Sequence, residues 1–194
     1  MNFLSIETST DICSVSLFYN SKVKTLKKDG VKEHSKYLPI FTKRLISGIE
    51  NEIKYIALST GPGSFSGLKI GSSFSKGLAN ALNIPILPIE TFDGIKMNIT
   101  DIDKYYIAIY SHKNFAFSSL YNNKLKKSKY RCQDINKLDK YTIYGYGFPD
   151  NIKIKYITIK PCSEKIGILS LDKFSSFKNK SIDNINPIYL LVEK

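Results

Sequence analysis

The stretch LSTGPGSFSGLKIG, residues 58–71, constrains the fold more than any other. IKYIALS (53–59) runs into it, a nearly continuous apolar segment rich in β-branched residues. That pattern suits a buried strand. Gly63, Gly67 and Gly71 then fall four apart as the chain enters a segment that reads as a helix to about Leu82. A glycine inside a helix costs about 1 kcal/mol relative to alanine, so Gly67, Gly71 and Gly77 together forfeit roughly 3 kcal/mol. Something that only a missing side chain allows must offset this.

Three readings compete. A strand, a glycine turn and a helix form the usual cradle for an anion, with free N–H groups at the helix start. Ser64 and Ser66 would cap those groups or bond an oxygen. A nucleotide P-loop, however, needs lysine directly after its last glycine, and here Leu68 follows Gly67. The G-x-G-x-x-G spacing is also absent. A hydrolase elbow requires G-x-S-x-G, and the centre of GSFSG is Phe65. In the third reading, Gly67, Gly71, Ser75 and Ala79 line one side of the helix and let another backbone approach. An apolar stripe of Ile70, Phe74, Leu78 and Ala81 runs beside them. The approaching backbone is either this chain's own sheet or a helix of another chain.

The rest of the chain supplies context. With 194 residues it suits one large domain or two lobes. Residues 2–7, 12–18 and 22–28 read as strands, the first two forming a hairpin. In 34–49, Leu38, Phe41, Leu45 and Ile49 recur at helical spacing. A strand at 84–90 and a helix from Thr91 follow. Beyond residue 100 the pattern becomes a meander, with strands expected at 104–110, 115–121, 124–130, 141–148 and 154–159 and a helix at 164–174. The expected division is a first lobe at 1–97, a second at 103–180 and a docking tail at 181–194.

Charge and cysteines limit the function classes. The net charge is +12, from 29 basic and 17 acidic residues. A polyanion such as RNA is one consequence. A genome-wide coding bias is another, since only Arg44 and Arg131 are arginines and the lysines are spread along the chain. Cys13, Cys132 and Cys162 form no C-x-x-C pair. No apolar run approaches the roughly 18 residues of a membrane span, and the N-terminus lacks signal-peptide features. The expected compartment is the cytoplasm. His34 and His112 are the only histidines, so no helical pair of metal ligands exists. Glu7 ends the first strand beside Thr8, Ser9 and Thr10. In sugar kinases and actin-like ATPases an acid and a hydroxyl turn at this place contact Mg²⁺ and phosphate. Glu7 is one methylene longer than the aspartate usual there.

IETST (6–10), CSVSL (13–17), EHS (33–35) and LSTGPGSFSGLKIG (58–71) together resemble the TsaB family, bacterial proteins of tRNA threonylcarbamoyladenosine biosynthesis. The family's central turn reads GPGSFTGLR-I-G, so Ser66 stands for threonine and Lys69 for arginine. NPIYLL (186–191) is similar to the family's P-x-Y-L-R ending, with Leu191 in place of arginine. The family's D-A-R turn is replaced by YSH at 110–112, and the second lobe is short.

The resemblance implies an α/β, actin-like (ASKHA, ribonuclease H-like) fold of two lobes, the second shortened. It implies a non-catalytic scaffold that binds the catalytic subunit TsaD, is joined by the ATPase TsaE, and meets tRNA through the complex. Alone, the chain would be a monomer or a homodimer. No cofactor is expected, with ATP or Mg²⁺ entering only within the complex. The partner surface is assigned to the two helices of the first lobe: Leu38, Phe41, Leu45, Gly67, Gly71, Phe74, Ser75 and Leu78. The candidate anion turn comprises Glu7, Thr8, Ser9, Thr10, Gly61, Gly63, Ser64 and Ser66. The competing class is a nucleotide-binding or hydrolytic enzyme of the same superfamily. An RNA-binding second lobe is a third reading.

Overall fold

A computed structural model describes residues 1–100, 103–122, 125–126, 128–177 and 184–192. Its first sheet grows from the hairpin β1 (Phe3–Glu7) and β2 (Cys13–Tyr19), extended by β3 (Lys22–Lys28). The polar TSTD turn is too short for a crossover, so β1 and β2 pair antiparallel, with Leu4 opposite Leu17 and Ile6 opposite Val15. Helix α1 (His34–Ile46) then carries the chain over the sheet to β4 (Ile56–Ser59), which pairs parallel to β1. Helix α2 (Phe65–Leu82) repeats that crossover and delivers β5 (Ile86–Ile89) beside β4. The strand order is β3-β2-β1-β4-β5.

The second sheet repeats the pattern. β6 (Tyr105–His112) pairs antiparallel with β7 (Phe115–Asn122), then parallel with β10 (Thr142–Tyr146), which pairs parallel with β11 (Ile157–Thr158). The far edge of β7 takes β8 (Leu125–Lys126) and β9 (Arg131–Asp134) in succession. Each lobe therefore has an antiparallel meander followed by two parallel strands, the duplicated topology of the actin-like fold. The second lobe is short because a single turn of 3₁₀ helix (Ile135–Leu138) stands where the first lobe has α1. Between β10 and β11 there is no helix at all.

Two helices tie the lobes together. The six residues of α3 (Thr91–Lys96) follow the first lobe in sequence, yet Phe92 and Ile95 are buried against Tyr105, Ile107 and Tyr121 of the second sheet. Conversely, α4 (Ser163–Phe177) follows the second lobe and packs on the first sheet. The sequence division at 103–180 groups this helix with the second lobe, whereas its packing joins it to the first. The first sheet thus has helices on both faces. Leu4, Ile6, Val15, Ile56 and Leu58 meet α1 and α2 on one side. On the other, Phe18, Phe3, Tyr55 and Phe174 form a continuous row of rings with centroids 4.3, 4.3 and 4.6 Å apart.

Close approach of α4 depends on Gly167. A Cβ placed there would lie 2.1 Å from Cε2 of Phe18 and 2.9 Å from Oγ of Ser5. Phe18 cannot retreat, because Phe3 stacks behind it. Overpacking of this kind costs about 1–3 kcal/mol, while alanine returns about 1 kcal/mol of helix propensity. Gly167→Ala is therefore expected to be destabilising by up to about 2 kcal/mol in urea titration. A stabilised variant would show that α4 rests on the sheet more loosely.

The tail runs across both lobes. Ile185 is buried in the core beneath α1 and α2, Ile188 N–H donates to Thr60 O (2.7 Å), and Val192 bridges to Cys132 of β9. Residues 181–183 and 193–194 of the expected tail lie outside the described residues. No described helix is long and apolar enough to cross a membrane.

Candidate functional site

The hydroxyl turn after β1 and the glycine turn after β4 lie against each other. Ser64 N–H donates to Ser9 O (2.6 Å), and Thr8 Oγ1 donates to Gly67 O (2.9 Å). Ser64 caps α2, its Oγ accepting from Gly67 N–H (3.3 Å) and lying 3.3 Å from Oγ of the exposed Ser66. Thr10 Oγ1 accepts from Ile12 N–H. Gly61 takes φ +98°, and its N–H donates to Thr91 Oγ1 (3.1 Å) at the start of α3. The eight residues proposed as an anion turn are thus brought together.

What fills that turn is protein. A Cβ on Gly63 would lie 2.2 Å from Ser9 O, and one on Gly67 would lie 2.1 Å from Thr8 O. The volume opened by the missing side chains is occupied by the facing backbone, and the Ser64 N–H is already engaged. A phosphate does not fit between the turns as they stand. Neither does a nucleophile pair form: His34 donates from Nε2 to Thr10 O (2.8 Å), while Ser64 serves as a cap. Among the described residues, no three His, Cys, Asp or Glu side chains converge as metal ligands.

Glu7 is fully buried, and burial raises its carboxyl pKa above the ordinary 4.5, an effect partly opposed by hydrogen bonds from Ser9. Oε1 accepts from Ser9 N–H at 2.6 Å, and Oε2 has no partner. Below pH 4.5 the acid is protonated both folded and unfolded. As pH rises through 4.5 the unfolded chain ionises while the folded chain retains its proton. Stability is therefore lost with rising pH until the raised folded pKa is passed. Glu7→Gln keeps the acceptor for Ser9 and is expected to be more stable than wild type at neutral pH, with the gap closing below pH 4.5. Denaturation curves at several pH values test this; a less stable glutamine variant at pH 7 would contradict it.

The glycine flank of α2 faces inward. A Cβ on Gly71 would lie 2.2 Å from Thr8 Oγ1, and Ser75 and Ala79 are completely buried. Gly67, Gly71 and Ser75 therefore meet the chain's own sheet, which corrects their assignment to a partner surface. Of the two alternatives that the spacing left open, the internal one holds. Phe41 and Leu45 are likewise buried in the first-lobe core, so their assignment to the partner surface is also corrected; Leu38 is buried too, but it lines the groove between α1 and α2. Their three-to-four spacing marked the inward stripe of α1, and burial under the sheet is what that stripe is for. Phe74 and Leu78 are half-buried and remain at the surface.

What the helices offer outward is a groove between them of about 360 Å³. Ser35, Leu38 and Pro39 of α1 form one wall; Lys69, Ile70, Ser73 and Phe74 of α2 form the other. Pro39 has no N–H, so the carbonyl of Ser35 lacks its i+4 donor within the helix. The groove is apolar at its base, with Lys69 at its rim. Sequence reasoning missed Ser35, Pro39, Lys69 and Ser73. The signal was present in the i, i+4 pairs 35/39, 69/73 and 70/74, which place these residues on adjoining outer faces.

Comparison with known proteins agrees with this architecture. A family profile described as TsaD, tRNA N6-adenosine threonylcarbamoyltransferase, matches residues 18–130. The protein of Buchnera aphidicola subsp. Baizongia pistaciae named tRNA threonylcarbamoyladenosine biosynthesis protein TsaB is 30% identical over 96% of this chain and 96% of its own length. The protein of the same name from Buchnera aphidicola subsp. Acyrthosiphon pisum is 34% identical over 91 residues, 45% of this chain and 41% of that protein. A crystal structure from Pseudomonas aeruginosa, described as an uncharacterized protein with similarity to peptidase YEAZ, superposes with TM-score 0.79 at 17% identity. It covers 98% of this chain and 99% of that one.

Proposed function

The chain belongs to the TsaB family, and on that premise we propose that it is a non-catalytic subunit in tRNA threonylcarbamoyladenosine biosynthesis that holds a TsaD-like catalytic subunit in the groove between α1 and α2. The groove itself carries the reading. It is an apolar depression on the outer face of two helices, with a backbone carbonyl at Ser35 that lacks its helical donor. A helix laid into it would bury Ile70 and Phe74, each worth about 1.5–3 kcal/mol when fully removed from water. The packing of the two turns supports a scaffold, because the hydroxyl turn after β1 and the glycine turn after β4 fill each other's space. A TsaE-like ATPase is the further partner in this reading, and tRNA is met through the complex. ATP or Mg²⁺ then acts on the partner's residues rather than between these two turns. A homodimer across the same groove is the state of the free chain that this surface also fits.

Mixing the purified chain with the TsaD-like subunit of its own organism and weighing the product by light scattering is the test. The expected product is a one-to-one heterodimer. Turnover of ATP by the isolated chain, lost in Glu7→Gln, would replace this reading with the enzymatic one.

A further inference from the structure

A second cavity lies in the second lobe, far in sequence from both turns. It measures about 640 Å³ and opens between the 3₁₀ turn before β10 and the extended segment leading into β11. Lys140, Lys153 and Lys155 line it with Tyr141, Tyr156 and Asn136. Asp139 is the one carboxylate in the lining. All three lysines are exposed, and none forms a salt bridge among the described residues. Along KIKYI (153–157) exposure alternates with the strand period: Lys153 and Lys155 face solvent, while Ile154 and Tyr156 pack toward Phe148. Residues two apart in an extended chain are about 6.6 Å apart, so two ammonium groups stand in a row on one face. Two more stand near the Tyr141 ring, with Lys104 Nζ and Lys140 Nζ each 5.9 Å from its centre.

We propose that this cavity binds a single-stranded segment of RNA, the lysines taking backbone phosphates and the Tyr141 ring offering a base a stacking face. A cavity of this size suits a ligand of nucleotide dimensions. Lysines beside aromatic rings in a groove are the chemistry of single-strand binding, which tolerates any base because every base has a π face. The other lysine-rich surface, β3, differs. Lys22, Lys24 and Lys27 lie exposed on an open sheet edge, where charge serves to prevent edge pairing. The inference rests on the proposed function, since a subunit of a tRNA-modifying assembly is where a second RNA contact would act.

The experiment titrates the full chain against a fluorescein-labelled RNA hairpin with a single-stranded loop, by fluorescence anisotropy over a series of salt concentrations. Lys153→Glu/Lys155→Glu is expected to weaken binding by about tenfold or more and to lower the salt slope by about 1.4. Tyr141→Leu should weaken it about 5- to 100-fold with the slope unchanged. Lys22→Glu/Lys24→Glu makes the same change of net charge on the edge of the first sheet and should shift affinity by less than threefold. Thermal melting confirms the fold of each variant, with Lys153→Gln/Lys155→Gln replacing any charge reversal that fails to fold. Absence of binding by wild type, equal losses from the two charge-reversed pairs, or equal affinity for a duplex without a loop would each overturn the proposal. Association with the TsaD-like subunit is measured on the same samples. If the heterodimer forms and the cavity variants bind RNA like wild type, only this inference fails; if wild type forms no heterodimer, the functional reading fails, whatever the RNA result.

Discussion

Gly67→Ala is expected to lose roughly 2 kcal/mol of stability or more, although the same change at Gly77 should gain about 1 kcal/mol. Both residues lie in α2, so helix propensity favours alanine equally at the two positions. Their surroundings decide the sign. Nothing lies within 4 Å of a Cβ on Gly77, whereas a Cβ on Gly67 would overlap the carbonyl oxygen of Thr8 at 2.1 Å. A backbone oxygen cannot rotate away, so the helix must shift from the sheet. Gly71 gives a finer test, because its clash at 2.2 Å is with the Thr8 side chain. Thr8→Ala removes that atom and also the hydrogen bond to Gly67 O, a loss of about 1 kcal/mol. Gly71→Ala should therefore be destabilising in wild type and close to neutral in the Thr8→Ala background, a coupling of about 1 kcal/mol or more. Gly67→Ala should show no such rescue. Urea titrations of the set measure this; equal stability of Gly67→Ala and Gly77→Ala would mean that the two turns are not in contact.

The second large effect is expected at the groove. Ile70 and Phe74 are half-buried in the free chain and pack on the rim of the first-lobe core, so an aspartate at either place still meets water and costs the fold little. In the complex that carboxylate would be enclosed in an apolar interface without a partner. Losing the rest of the apolar burial removes about 1–1.5 kcal/mol, and an unpaired buried charge adds several more. Ile70→Asp and Phe74→Asp are each expected to weaken association with the TsaD-like subunit by at least about 100-fold, with circular dichroism and melting temperature near wild type. Glycine-flank variants lose stability first, and lose association only through it.

Much of the first lobe is legible in the sequence, because period and punctuation agree there. The continuous apolar run before the glycine turn marks β4 as a strand buried on both faces, as it is beneath α2 and α4. The stripe of α1 marks an amphipathic helix, but its assignment to a partner is mistaken, because the stripe faces the chain's own core. Which way a stripe of small residues points is not legible, since glycines that admit a neighbouring helix and glycines that admit the chain's own carbonyl look the same. Only the position of Thr8 distinguishes them, and Thr8 lies 59 residues from Gly67 along the chain. The second lobe is less readable. The strand RCQD of β9 carries no apolar alternation and is held by pairing with β7. The return of α4 to the first sheet is equally hidden, because its recognition depends on Gly167 meeting Phe18 across 149 residues of sequence. The cavity around Tyr141 and Lys155 joins two segments that are unremarkable apart and acquire a character only when β10 brings them together.

The most direct measurement is sedimentation of the TsaD-like subunit with wild-type chain and, in parallel, with the folded Phe74→Asp variant. Wild type should move with it as a one-to-one complex, and the variant should sediment separately. Co-sedimentation of Phe74→Asp at wild-type affinity would place the partner on another face and contradict the scaffold surface described above.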